Sequence, residues 1–340
     1  MPERLHRTGL FILMLFVAFL MSFMAVYVFE VHGAEDVILE KKAVGNLSKH
    51  VTIGSPVTYQ NLTIFPIVSS SMTSTQRYLT LDEAIKKGQL IIEELGSGNV
   101  PKVKVKNKSS KKIFVMAGEI ITGCKQDRIL ATDILIGPGE ELVVPVYCVE
   151  QGRWNAKSDK FTASDSNAPA KLRQGAYKKE SQGWIWSEVA KEQEYCENPA
   201  ATGTLQQVYR DEKVKEQSNA YISHFEKIPE FSVSTNGVVV AVGGRIICMD
   251  VFANNELFRR LYNKLLKSYV LGAIKPGIED KKVTEKDVMN FIRELEKAGY
   301  KKSENAGSGT LYVIEGGDIS GAALLDKQEI VHMAVFPESK

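Results

Sequence analysis

No charged side chain occurs from residue 9 to residue 29, so this run cannot lie on the surface of a water-soluble fold. Arg4, His6 and Arg7 precede it and Glu30 ends it. A basic head followed by an apolar run is how an export signal reads, because the basic residues stay on the cytoplasmic side. The run exceeds the roughly 7–15 residues of an ordinary signal core. It approaches the ~20 residues a helix needs to cross a bilayer. Residues 1–34 are therefore expected to be a signal peptide or an N-terminal membrane anchor. Val31 with Gly33, or His32 with Ala34, offers a place for cleavage. In either case the chain from residue 35 onward is expected outside the cytoplasm, secreted or anchored in the membrane through residues 9–29. The first cysteine is Cys124, too far along for a lipid-anchored lipoprotein.

The roughly 300 residues that follow suit one large domain or two modest ones. Lys and Arg number 43 against 41 Asp and Glu, a net charge of +2 that gives no support to nucleic acid as a partner. Cys124, Cys148, Cys196 and Cys248 could form at most two disulfides in an oxidising compartment. Cys124 and Cys148, flanking the strongest strand signals, are the pair to consider. No CxxC spacing occurs, which disfavours a zinc ribbon or thioredoxin-type site, and small buried side chains are the simpler expectation.

Hydrophobic periodicity divides the chain after residue 50. Residues 62–68, 90–94, 102–106, 113–116, 129–136 and 143–149 read as strands, with turn chemistry at Asn107-Lys108-Ser109-Ser110 and Gly137-Pro138-Gly139. Thr80 and Glu83 form a capping box for a short helix ending at Gly88. Residues 172–179, 184–193 and 205–225 favour helix. Two strands joined by Gly243-Gly244 read as a hairpin. Leu257, Leu261, Leu265 and Tyr269 line one face of a long helix, and another starts at Thr284. Strands are expected at about 300–304, 310–315, 321–325 and 329–336. The fold class is α+β. A β-rich, sandwich- or barrel-like first half (about 50–155) precedes helices and further strands (about 156–340).

No HExxH, P-loop or GxSxG occurs, and after the export region only His50, His224 and His332 remain. A Ser-His-Asp or His-rich metal site has little material. Polar residues instead concentrate at two places in the β-rich half, Gly118 to Arg128 and Tyr147 to Trp154. Glu119 and Glu150 are the candidate catalytic carboxylates. Lys125, Gln126, Arg128 and Arg153 could hold a carboxylate or phosphate, and Trp154 could stack on a ring. The bland alternative is that both glutamates pair with nearby bases merely to hold strand ends together, with Trp154 as a core plug.

The run Gly118-Glu119 through Gly123-Cys124-Lys125-Gln126-Asp127-Arg128, followed by Pro145-Val146-Tyr147-Cys148-Val149-Glu150-Gln151-Gly152-Arg153-Trp154, resembles the ARPP-1 family. ARPP-1 stands for the ARG and rhodanese-phosphatase-superfamily-associated protein domain. Tyr78 to Ala84, Asp250-Val251-Phe252 and Val331 to Phe336 add to the likeness, which spans about 53–336. The family pattern has a small residue where this chain has Cys124, which makes that thiol a poor candidate nucleophile. The resemblance implies no established reaction or cofactor. The family's name reflects gene association with ADP-ribosylglycohydrolase-like and phosphatase-like proteins, a nucleotide link that export argues against.

Three functions stay open at this point. One is a binding module for a small polar or anionic ligand such as a sugar, nucleotide or cell-wall fragment. Another is a hydrolase in which Glu119 and Glu150 act as an acid–base pair or hold a metal with Gln126. The third is a structural exported protein.

Overall fold

Val238, Val240 and Val242 face one side of their strand, Val239 and Ala241 the other, and all five are buried. A strand covered on both faces belongs to the middle of a layered fold. The computed structural model describes residue 44 and residues 46–69, 72–96, 101–303 and 307–338. The expected export segment, 1–34, lies outside the described residues. Among the described residues no helix is long and apolar enough to cross a membrane.

In chain order, β1 (Thr52–Ile53), β2 (Val57–Tyr59), β3 (Leu62–Val68) and β4 (Leu79–Thr80) lead into helix α1 (Leu81–Lys86). Then come β5 (Leu90–Glu94), β6 (Lys102–Asn107), β7 (Ile113–Val115), β8 (Glu119–Gly123), β9 (Arg128–Leu130), β10 (Ile134–Ile136), β11 (Glu141–Cys148) and β12 (Phe161–Asn167). Helices α2 (Ala170–Tyr177), α3 (Gln182–Gln193), α4 (Leu205–Arg210) and α5 (Glu212–Phe225) follow. The hairpin β13 (Thr235–Val242) and β14 (Arg245–Phe252) precedes α6 (Asn255–Ala273) and α7 (Glu285–Lys297). The last strands are β15 (Gly299–Ser303), β16 (Thr310–Gly316), β17 (Ile319–Asp326) and β18 (Glu329–Pro337).

These strands form a nine-stranded antiparallel sheet in the order β1-β3-β13-β14-β18-β17-β16-β15, with β2 beside β3. A six-stranded antiparallel sheet runs β12-β8-β9-β11-β6-β5, and a three-stranded sheet runs β10-β7-β4. The architecture is α+β and β-rich. Helix α6 lays Leu257, Leu261 and Leu265 on one face of the large sheet, beside Val238 and Val240. Helix α7 covers the opposite face with Val288, Phe291, Ile292 and Leu295. The two smaller sheets enclose a core of their own, including Val103, Val105, Ile113 and Val144. Helices α2 to α5 pack on the outer side of β8 and β9 through Leu172, Ile185 and Val208.

Two expected elements are divided. The strand foreseen over 129–136 breaks into β9 and β10, which belong to different sheets. Asp133 lies at the break, fully buried, and its carboxylate accepts from the Ala117 amide at 2.7 Å. The helix foreseen over 205–225 stops at Asp211, whose extended backbone and side-chain bond to the Val214 amide start α5. Strands β8 and β12 fall outside the expected strands, β12 because Phe161–Asn167 is mostly small and polar. Pairing with β8 makes it a strand. No disulfide joins Cys124 and Cys148: all four cysteines are free, and the Cys148 thiol donates to the Glu150 carbonyl at 3.3 Å.

Candidate functional site

The residues singled out from the sequence separate into four groups. Glu150, just after β11, is fully buried, and its Oε2 receives the Arg153 guanidinium at 2.5 Å and the Asp127 amide at 3.0 Å. The same guanidinium reaches Asp127 Oδ1 at 3.2 Å and donates to the Cys124 and Asn155 carbonyls. Gln126 donates to the Glu150 carbonyl at 3.0 Å, and Thr204, the cap of α4, donates to Asp127 at 2.7 Å. Burial alone would raise the Glu150 carboxyl, but the bonds from Arg153 and the Asp127 amide outweigh it and hold it below its ordinary range. Asp127 goes the other way, raised by burial. The network ties the loop before β9 to the loop after β11 and to the start of α4.

Arg128 forms a second group. Its guanidinium is fully buried and meets both Glu94 oxygens, at 3.0 and 2.8 Å, across to β5. It also stacks 5.6 Å from the Phe161 ring centre. Lys125 and Trp154 form a third, with the ammonium 4.9 Å from the indole centre. Trp154 is 47% exposed, so it is not a core plug.

Glu119 belongs to a fourth group. It starts β8, fully buried, and accepts from the Met116 amide at 2.9 Å. Its other oxygen takes the Lys264 ammonium at 2.9 Å, and the same ammonium lies 2.6 Å from Asp82 on α1. Burial pushes the Glu119 carboxyl up, against the pull of Lys264. Burial would lower the Lys264 ammonium, but the Glu119 and Asp82 charges outweigh it and hold it above its ordinary value. Before Glu119, Gly118 has φ +82°, and a Cβ there would lie 2.6 Å from Arg173 Cγ. Only glycine fits this approach.

Lys264 and Asp82 line a cleft of about 440 Å³ between α6, α1, the end of α5 and the segment around Asp165, with the carboxylates of Asp82, Glu83, Asp165 and Glu226 along it. Arg260, Lys264 and Lys267 follow one another by four and three residues and all line this cleft, as one helix face should. Each has an acidic partner from another part of the chain. Arg260 meets Glu83 at 2.9 Å and Lys267 meets Asp165 at 2.6 Å. Of the residues foreseen from the sequence, only Glu119 reaches this place, as the carboxylate behind Lys264. Glu150 and Glu119 share no partner among the contacts described here.

Sequence reasoning missed a buried network further inside. His332 on β18 sits between Asp133, 2.7 Å from Nδ1, and Asp250 on β14, 3.2 Å from Nε2. Arg173 on α2 pairs with both Asp250 oxygens, one at 3.0 Å, and the Tyr269 hydroxyl donates to Asp250 at 2.6 Å. All five side chains are fully buried. Burial would lower the imidazole, but the two carboxylates outweigh it and raise it to about 8. Burial would raise Asp250, but Arg173 and His332 hold it well below the usual carboxylate range. A signal existed in the sequence: Asp250 and His332 each interrupt a run of apolar strand residues. A charge there must find partners. Among the described residues, no three His, Cys, Asp or Glu side chains are grouped to hold a metal ion.

No curated protein and no solved structure matches the chain. A family model does, that of the ARG and Rhodanese-Phosphatase-superfamily-associated Protein domain, over residues 50–336. The segments that carry the likeness supply the ion-pair networks: Tyr78 to Ala84 brings Asp82 and Glu83, Gly118-Glu119 brings the partner of Lys264, and the two late motifs bring Asp250 and His332. The match covers most of the chain, which therefore belongs to the ARPP-1 family.

Proposed function

We propose that the domain is a binding module for a small anionic ligand, held in the cleft over Lys264. One observation carries this: three cations of α6 face the cleft, and two of their partners are loosely held acids. The side chains of Asp82 and Asp165 are 41% and 77% exposed. The Lys267–Asp165 pair, open to water at both ends, contributes at most about 1 kcal/mol, so a ligand carboxylate or phosphate can take the place of Asp165 on Lys267. Lys264 is itself only 7% exposed, but its Asp82 partner is 41% exposed and can give way to the same ligand. Glu119 stays behind, holding Lys264 charged and aimed at the cleft.

Hydrolysis by Glu119 and Glu150 would need both carboxylates on opposite sides of one substrate bond. They end in separate ion-pair networks, so a binding role is the better-supported reading. We also propose that the domain works outside the cytoplasm, with residues 9–29 as its signal or anchor. Fractionation and N-terminal sequencing of the expressed chain test that part.

The binding role is tested by calorimetric titration of the full chain with inorganic phosphate and with a sugar phosphate. Lys267→Ala and Lys264→Met should each weaken binding about tenfold or more, the value of a charge-assisted hydrogen bond. A parent chain that binds neither probe, or folded variants that bind as the parent does, would leave these residues a structural role only.

A further inference from the structure

A larger cleft lies elsewhere. About 760 Å³ in volume, it opens between α7, the hairpin β13–β14, the start of α2 and the end of α6. Ile246, Ile247, Phe291 and Ile319 give it apolar walls. Five carboxylates and three cations line it, and two of the carboxylates, Glu294 and Glu338, pair with Lys297 and Lys178 beyond the lining. None of the residues of the Lys264 cleft lines it.

One of those carboxylates is unusual. Glu192, near the end of α3, is 4% exposed. Its Oε1 takes the Lys275 ammonium at 2.6 Å, while Oε2 has no hydrogen-bond partner. Burial pushes this carboxyl above its ordinary range, against the pull of Lys275. A half-satisfied buried carboxylate costs free energy that a second donor would recover.

We propose that this cleft is a second binding site, for a small amphipathic amine. The ammonium head sits on Glu192, and the apolar body lies along Ile246, Ile247, Phe291 and Ile319. Two features agree on this class. The unpartnered oxygen calls for a donor, and the apolar walls call for a hydrocarbon body. The volume falls within the roughly 300–1,000 Å³ of small-molecule sites. A fatty acid has the same body, but its ionised head offers no donor to the unpartnered Glu192 oxygen.

The test is calorimetric titration of the full chain with octylamine, octanoate and octanol. Octylamine should bind more tightly than octanoate by about tenfold or more, as a charge-assisted hydrogen bond implies. Glu192→Gln should remove that preference while leaving octanol binding unchanged. Ile246→Lys, which places a cation on the partly exposed wall, should weaken octylamine without disturbing Glu192, and so serves if Glu192→Gln fails to fold. Lys267→Ala should leave octylamine binding as it is, which separates this site from the anion cleft. Equal affinity for octylamine and octanoate, or an amine preference that survives in folded Glu192→Gln or Ile246→Lys, would overturn the proposal.

Discussion

His332 Nδ1 lies 2.7 Å from Asp133 Oδ2, joining β18 of the large sheet to the segment between β9 and β10. Asp250 closes the other side of the ring at 3.2 Å. The imidazole is thus fully buried between two carboxylates that favour its charged form, and its titration is linked to folding.

Stability should fall on the alkaline side. The folded-state value of His332, about 8, lies above the ordinary 6.5. Its contribution is therefore complete below about pH 6.5 and is lost as pH rises through about 8. The shift corresponds to roughly 2 kcal/mol. Asp250 acts in the opposite direction: depressed in the fold, it contributes above its unfolded value near 4 and loses this as the solution becomes more acid. Urea unfolding between about pH 2 and 9 checks both limbs. The alkaline limb should flatten in His332→Gln; an unchanged slope in that variant would assign it to other groups.

Arg173→Met should destabilise the domain by about 3–5 kcal/mol, because Asp250 then stays buried with its main counter-charge gone. Arg173 also packs 5.4 Å from the Phe336 ring centre, and Met keeps much of that apolar contact. The midpoint of urea unfolding at pH 6 reads the loss, and a change under about 1 kcal/mol would mean that His332 and Tyr269 suffice for Asp250.

Arg153 and Trp154 are neighbours with unequal expected effects. Arg153→Ala leaves the Glu150 and Asp127 carboxylates together without their shared cation, at a cost of about 3–5 kcal/mol. Trp154→Ala removes an exposed ring and one contact with Lys125, and should cost about 1 kcal/mol or less. Thermal melts of the two variants side by side distinguish them. If the tryptophan variant proved the less stable, its ring would be anchoring the loop after β11.

Gly118→Ala should cost more than about 1 kcal/mol, since the backbone is left-handed and the new methyl meets Arg173. Gly139 is the control. Its φ is +72°, yet nothing lies within 4 Å of a Cβ built there. The difference between the two alanine variants in urea measures the steric part alone, and equal losses would show that Arg173 gives way.

Local structure was legible wherever one periodicity or cap decided it. The box at Thr80 and Glu83 starts α1 as its spacing implies. The Gly243-Gly244 turn joins β13 and β14, and Leu257 to Tyr269 lies on one buried face of α6. Membership of the family was legible too, from the runs around Glu119 and Glu150. Partnership was not. Glu119 finds Lys264, 145 residues later, and Asp133 finds His332, 199 residues later. A carboxylate's role depends on which charge the chain folds against it and whether water is excluded there, and neither is a property of its neighbours in sequence. Chemistry and periodicity along the chain therefore specified the elements and the residues able to bear charge. Only the packing of sheets and helices decided which of those charges became a buried lock and which lined a cleft.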